Sequence, residues 1–376
     1  MKSLLLAIAA LVAATSLAHA YPQFQLSKDQ TCSDCHLSPA GGGLLSENGL
    51  NVAQGMSVLG EDPGPFYGKV TPPSWLAIGG DILGAAGYDY IGPGNPDNSA
   101  VLFPMQAELY GAATVQNFSL HVTAGARDPQ FDDTSSTLFA SREHWLQWQQ
   151  NAGDPDGLFV RVGRFEPVFG LRLAEHVDYN QRYGGEELYG EAYGVAVEYI
   201  QPKYEVHATS FVHDPWQGTT ELGDGATLYA EVRPIEATSI GVEAKYDKTT
   251  DDRKLYGGLT AKHFFATPGI LIQGEGEVIH QNVLFDGRDS GYDDQLVFYV
   301  LASYFLPKGF MIDLGGGDYN PNVQIRNLSQ QVFDLNIHWF ATSHVELALD
   351  SRLQTGNFGG STEPNGYSLL LLHYRI

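Results

Sequence analysis

The chain has 376 residues, with 44 Asp plus Glu against 21 Lys plus Arg, a formal net charge of −23. So acidic a surface repels a nucleic-acid backbone, and no nucleic-acid partner is expected. Only two cysteines are present, which excludes a disulfide-stapled fold and a four-cysteine zinc site.

Residues 1–20 read "MKSLLLAIAALVAATSLAHA". Lys2 supplies a positive start, Leu4 to Val12 an unbroken apolar run, and Ala18-His19-Ala20 a small-x-small cleavage site. The run is too short to span a bilayer, so 1–20 is expected to be a cleaved secretory signal peptide. The mature chain then begins near Tyr21, outside the cytoplasm.

Residues 21–74 hold both cysteines, in "DQTCSDCHLSPAGGG", with His36 directly after Cys35. Zinc would need a second ligand pair, and a thioredoxin-type dithiol would need a βαβ context that "LSPAGGGLLSENG" does not offer. A short-loop disulfide leaves His36 without a purpose. C-x-x-C-H is the attachment signature of c-type haem: two thiols take up the two vinyl groups, and the adjacent imidazole becomes the proximal iron ligand. Cys32, Cys35 and His36 are therefore expected to bind one covalent haem c. The distal ligand is unmarked. Met56, in "LLSENGLNVAQGMSVLG", is a candidate that would raise the potential, with ordinary packing the competing role for a lone Met. His121, His207, His338, His373 and Met311 are further candidates if the haem lies in a lumen. The segment is too short for an independent core, and a covalent haem would staple it. It is expected either to plug the larger fold formed by residues 75–376 or to hang beneath it.

From Trp75 onward no apolar run is long enough for a membrane helix. Period-2 alternation recurs instead. In "FSLHVTAGA", Phe118, Leu120, Val122 and Ala124 share one face, and Ser119, His121 and Thr123 the other. "IGVEAKY" and "FDLNIHW" repeat the pattern. A soluble β-sandwich or propeller would also alternate. Three features favour a membrane barrel. About sixteen such segments of roughly ten residues can be marked, the first starting near Trp75 and the last near Gly366. Connections alternate between long ones ("IGPGNPDNSA", "RDPQFDDTSS", 166–189, "DPWQGTTELGDG", "DKTTDD", "QNVLFDGRDSGYD") and tight ones ("QN", "QPK", "PIEA", "ATP", "PKG", "ATS"), as long outer loops and short periplasmic turns do. The last segment, "GYSLLLLHYRI", is an apolar strand similar to the C-terminal assembly signal of outer-membrane proteins, although it ends on Ile376.

The expected fold is all-β: a transmembrane antiparallel β-barrel of about 16 strands over 75–376, preceded by the haem c-binding segment of 21–74. An even strand number places both termini on the periplasmic side of a bacterial outer membrane, where haem is attached. A barrel of that size is wide enough for an aqueous lumen. The alternation points Glu198, Glu205, Glu243, Glu275, Glu277, Asp313 and Glu346 inward, with Arg161, Arg233, Lys245 and Arg352 as counterweights. Asp128, Asp132, Asp133, Asp251, Asp252, Asp286, Asp289 and Asp293 gather in the proposed outer loops, either keeping that surface soluble or concentrating cations.

A signal peptide, one C-x-x-C-H and then a barrel to the chain end resembles the fused outer-membrane monohaem cytochrome–porins, best known from iron-oxidising bacteria. The run "YPQFQLSKDQTCSDCH", with Pro22 and Phe24 ahead of the motif, is similar to that family, whereas the Gly-rich "LSPAGGGLLSENG" departs from it. "GRFEPVFGLR", Gly163 to Arg172, looks like a motif of several porin-like barrels. The resemblance implies one-electron transfer across the outer membrane, between an extracellular redox partner or metal cation (ferrous iron among them) and a periplasmic cytochrome or copper protein. Outer-membrane lipid would surround the barrel. No catalytic acid, base or nucleophile is needed. The alternative is a passive diffusion porin with a haem-bearing plug or redox gate. A haem peroxidase would need a distal acid–base pair, and none is recognisable.

Overall fold

The alternating segments fold as sixteen antiparallel strands, from β1 (Leu76–Tyr90) to β16 (Asn365–Arg375), each paired with its sequence neighbours. The computed structural model describes residues 22–90, 98–126, 139–173, 178–186, 190–213, 223–285, 287–356 and 364–376. The expected leader, parts of several long connections, and Asp128, Asp132, Asp133 and Asp286 lie outside the described residues. β1 pairs with β16, from Asp81 opposite Arg375 to Tyr90 opposite Gly366, so the barrel closes and no sheet edge remains.

Alternation decides which face meets what. Leu120 and Val122 are 51% and 39% exposed, whereas His121 and Thr123 between and beside them are buried. Leu109, Val162, Val242, Leu259, Val278, Leu314 and Phe333 continue the exposed apolar face around the wall. Apolar surface on that scale is not found facing water; it is the lipid face of a membrane barrel. Near the short-turn end, Phe310 stacks on Trp339 with ring centroids 5.9 Å apart, and Tyr199 meets Tyr204 at 5.9 Å. Such aromatic pairs suit a membrane–water boundary.

β1 and β16 each begin one residue from the expected starts near Trp75 and Gly366. The largest departure is β12 (Arg288–Leu306), expected to start near Asp294. The stretch "QNVLFDGRDSGYD" is not a long loop. Its Val283 and Phe285 extend β11 (Ile270–Phe285), pairing Asn282 with Tyr292 and Phe285 with Arg288, and Gly287 at φ 70° permits a tight turn. "DKTTDD" likewise shrinks to a connection of 249–251.

A second departure concerns the connection between β5 (Gly157–Phe165) and β6 (Ala192–Gln201). The sequence places it outside the barrel. Its described residues instead turn inward, including the short helix α4 (Tyr179–Tyr183; here the fourth, after three N-terminal ones given below). Leu171, Leu173 and Tyr179 are buried against Val297, Tyr299 and Leu301 of β12 and against Val332. The cause is visible in "LVFYVLA": Leu296, Phe298 and Val300 face lipid, while Val297, Tyr299 and Leu301 face the bore and need an apolar cover. Such a strand, apolar on both faces, is the mark of burial on both sides.

The N-terminal segment enters the barrel at the short-turn end. Its three short helices are α1 (Gln23–Ser27), α2 (Cys32–Cys35) and α3 (Glu47–Met56). Lumen side chains hold it: Lys262 Nζ donates to Gln25 Oε1 at 2.6 Å, Arg233 Nη1 to the Gln30 carbonyl at 3.0 Å, and Arg172 Nη1 to the Ala40 carbonyl at 3.0 Å. Phe24 packs its ring against Phe305 and Phe340, 5.8 and 5.9 Å away. The contacts of Phe24, Gln25, Gln30 and Ala40 lie inside the barrel, whereas Val58, Leu59, Phe66 and Val70 are exposed. Together with the infolded connection, the segment occupies a bore that is wide enough by strand number for an aqueous lumen.

Candidate functional site

The cysteine motif is a single capped helical turn. Thr31 Oγ1 accepts from the Asp34 backbone N–H at 3.2 Å, and Asp34 Oδ2 accepts from the Thr31 N–H at 2.6 Å, a reciprocal capping box. Cys32 and Cys35 stand three residues apart on that turn, hence on one side of it. His36 leaves the turn in an extended conformation and bridges to Leu45. Its Nδ1 lies 3.0 Å from the Gly42 carbonyl oxygen, an acceptor, so Nδ1 carries the proton and Nε2 keeps its lone pair. Three consecutive glycines make that contact possible: Gly41, Gly42 and Gly43 have φ of 89°, 74° and 59°, a left-handed path closed to ordinary side chains. The Gly-rich departure noted in the sequence is thus the cradle of His36.

α3 is started by Ser46, whose Oγ accepts from the Gly49 N–H at 3.1 Å. Gly49 lies so close to α2 that a Cβ there would sit 2.0 Å from the Cys35 carbonyl oxygen. This contact brings the far end of α3, Met56, to the space that the cysteines face.

That space is a cavity of about 1060 Å³, counting its open mouth. Cys32, Cys35, His36 and Met56 all line it, with Phe24, Leu45, Val52, Ala53 and Phe340 as apolar walls. Arg172, His344, Glu346, His373 and Arg375 are among its polar lining residues. The other proposed iron ligands fare differently. His121 stacks on Trp145 at 3.7 Å and bonds Ser119, away from this cavity. His207 is clamped between Glu198 and Glu205 at 3.1 and 3.5 Å, and His338 between Glu346 and Asp313 at 2.9 and 3.4 Å. Met311 is buried and is not among the cavity's lining residues. His373 does line the cavity, but Asp81 and Glu346 take its two nitrogens at 2.7 and 3.2 Å. Both nitrogens of His344 lie against carbonyl oxygens, of Arg375 and Asp62, at 2.7 and 2.8 Å. Met56 is thus the candidate on the cavity wall whose donor atom is not already spoken for.

Electrostatics separate the readings of the motif. Burial, assisted by Asp34 and Cys32, pushes the Cys35 thiol up to about 11, and burial likewise raises Cys32. Dithiols that exchange are tuned in the opposite direction. Burial and the nearby Arg375 lower His36 to about 4, so its imidazole is neutral at physiological pH. Two uncharged thiols, a neutral imidazole with a free Nε2, a thioether and an apolar wall with cationic groups in its lining form a donor set that a c-type haem fits: sulfurs for the vinyls, Nε2 for the iron, and arginines for the propionates.

The residues that hold the site from outside are less visible in the sequence. Arg172 links three parts: its guanidinium contacts Ala40, pairs with Glu205 at 2.7 Å and lines the cavity. It lies in "GRFEPVFGLR", and its φ of 56° marks the bend by which this connection turns into the bore. The charges expected to point inward do so. Glu198, Glu205, Glu243, Glu275, Glu277, Asp313 and Glu346 are buried, as are Arg161, Arg233, Lys245 and Arg352. Of the outer acids, Asp252 meets Lys254 at 3.6 Å and Asp289 meets Arg253 at 3.1 Å.

No protein-family model matches the chain, and no curated protein matches it. Solved structures do. A loop-deletion form of OmpT, an outer membrane protein of Vibrio cholerae, is similar with a TM-score of 0.62 at 12% identity, covering 80% of this chain and 99% of that one. OprB of Pseudomonas putida gives 0.56 at 11% identity over 80% and 94% of the two chains. The outer membrane channel DcaP of Acinetobacter baumannii gives 0.54 at 13% over 80% and 97%. At such identities the likeness is one of fold. The chain is a closed sixteen-strand barrel of the outer-membrane, porin-like type.

Proposed function

We propose that this chain is an outer-membrane electron-transfer protein: a porin-like barrel carrying one covalent haem c in the mouth of its bore. It would move single electrons between an extracellular donor or acceptor, ferrous iron among the candidates, and a periplasmic carrier. The observation that carries the reading is the convergence of Cys32, Cys35, His36 and Met56 on one cavity at the short-turn end. Cys32 and Cys35 would hold the group through thioethers, and His36 would present Nε2 to its iron with its tautomer fixed by the Gly42 carbonyl. Met56 would present a thioether sulfur, and Phe24, Val52 and Phe340 would exclude water. Bound in this way, the haem supplies a one-electron couple. In this reading residues 1–20 are the export signal, 21–74 the haem segment, and the short-turn end with both termini faces the periplasm.

The test is the absorption spectrum of the detergent-extracted protein, made in cells that attach haem c, before and after ferrous iron or another membrane-impermeant donor is added. A c-type spectrum that becomes reduced is expected, and a Cys32→Ser/Cys35→Ser variant should carry no covalent haem. Absence of covalent haem from the wild-type chain overturns the reading. A second reading, a passive porin with a haem-bearing plug or redox gate, draws on the likeness to channel proteins. It predicts solute conductance and a haem that no external donor reduces.

A further inference from the structure

Away from the cysteine cavity, three carboxylates meet inside the barrel. Glu243 lies on β9 (Thr238–Lys248), and Glu275 and Glu277 lie on β11, with β10 (Asp252–Phe265) between them. One ligand oxygen from each lies within 4.8 Å of the others, and all three side chains are buried. Leu171 N–H donates to Glu275 Oε2 at 2.6 Å and Gly185 N–H to Glu277 Oε2 at 2.8 Å. Both oxygens of Glu243, Oε1 of Glu275 and Oε1 of Glu277 have no hydrogen-bond partner of ordinary geometry. Among the described residues no Lys, Arg or His pairs with any of the three. The two nearby lysines are directed elsewhere: Lys245 Nζ donates to the Gly185 carbonyl at 2.9 Å, and Lys262 binds Glu231 and Gln25 at 2.8 and 2.6 Å. Buried carboxylates left like this are costly unless a cation or a proton joins them.

Two further observations point to a cation. Asn180 of α4 is 2% exposed and its side-chain amide approaches Glu275, while its Oδ1 has no hydrogen-bond partner. Glycines also surround the group where any side chain would fill it. A Cβ at Gly258 would stand 2.1 Å from Glu243 Oε1, at Gly184 2.2 Å from Glu277 Oε1, and at Gly170 2.7 Å from Glu275 Oε1. Gly258 is the residue directly between Glu243 and Glu277 in the register, so its missing side chain lets the two carboxylates approach across β10. Oxygen ligands about 2.0–2.6 Å from a hard divalent ion are separated by about 5 Å at most, which this spacing meets.

We infer that Glu243, Glu275 and Glu277, with the Asn180 amide, form a binding site for one hard divalent cation inside the barrel. All donors are oxygen, which selects ions of the magnesium, calcium, manganese and ferrous class over softer metals. Two of the carboxylates already hold backbone N–H groups of the infolded connection, so the cation fastens that connection to the wall. The site does not depend on the haem reading, and either can fail without the other.

The experiment is a titration of the chelator-stripped full chain with Mn²⁺, read by electron paramagnetic resonance. One Mn²⁺ per barrel is expected, displaced by Ca²⁺ or Mg²⁺, with affinity falling about 10-fold or more in Glu277→Gln and in Glu243→Gln. Asp289→Asn, on the exposed outer hairpin, should bind as wild type. Folding of each variant is checked by its heat-modifiable mobility. If the wild-type chain binds no Mn²⁺ saturably, the group is held by shared protons and the inference falls, whether or not the variants fold. Binding that survives Glu277→Gln but is lost in Asp289→Asn also overturns it.

Discussion

At the residue scale the chain buries charge in the barrel and, outside the Glu243 group, pairs much of it there. Arg161 is buried with two nitrogens on Glu198, at 2.7 and 2.9 Å, and its guanidinium lies 4.4 Å from the Phe165 ring centre. Removing one partner of such a pair strands the other, at about 3–5 kcal/mol. Arg161→Met should therefore lower the denaturation midpoint of the barrel, measured by gel mobility against urea, and Arg161→Met/Glu198→Leu should recover much of the loss. Met56 offers a different residue-scale test. If the proposed haem is present, Met56→Ala should leave it covalently attached, because Cys32 and Cys35 would supply the thioethers. It should open one iron position, seen as new carbon monoxide binding in the reduced spectrum. If carbon monoxide reactivity is unchanged, Met56 is only packing.

At the element scale the site is a matter of contacts between short pieces. α2 and α3 contain four and ten residues and could not persist alone in water. They are held by the capping box, by the closeness of Gly49 to Cys35, and by the barrel wall. Gly49→Ala places a methyl 2.0 Å from a carbonyl oxygen and must push α3 away. Overpacking of this kind costs about 1–3 kcal/mol. The expected result is a barrel that folds with normal mobility but carries much less haem, measured as haem absorbance per protein. Gly42→Val should act similarly, since it both strains a φ of 74° and displaces the carbonyl that orients His36.

At the scale of the whole molecule, the lipid face and the filled bore make separate predictions. Val242 is 51% exposed on β9, next to the buried Glu243. Val242→Arg should cost up to about 2–4 kcal/mol, depending on its depth in the bilayer, and the loss should show as reduced yield of folded barrel. The bore, occupied by the N-terminal segment and the infolded connection, should conduct far less than an open barrel of equal strand number in planar bilayers.

How much of this was legible in the sequence depends on the range of each signal. Strand number, closure and the inward charges were readable because period-2 alternation is local: His121 between Leu120 and Val122 shows its face without reference to anything distant. The cysteine motif was readable for the same reason. The infolded connection was not, because its only sign was the doubly apolar "LVFYVLA" more than a hundred residues downstream. The meeting of Glu243 with Glu275 and Glu277 was equally hidden, since it depends on register across β10. Arg172 stands within a readable motif, yet its reach to Ala40 could not be known before the N-terminal segment was seen inside the barrel.

The seam between β1 and β16 carries a consequence for biogenesis. His373 and Arg375 wall the cysteine cavity, and Ile376 N–H donates to the Gly80 carbonyl at 2.7 Å. The cavity is thus built from the two ends of the chain. That wall of the cavity therefore exists only once β16 has paired with β1. A group joined to the cysteines before β16 pairs with β1 would be walled in on that side as the barrel closes.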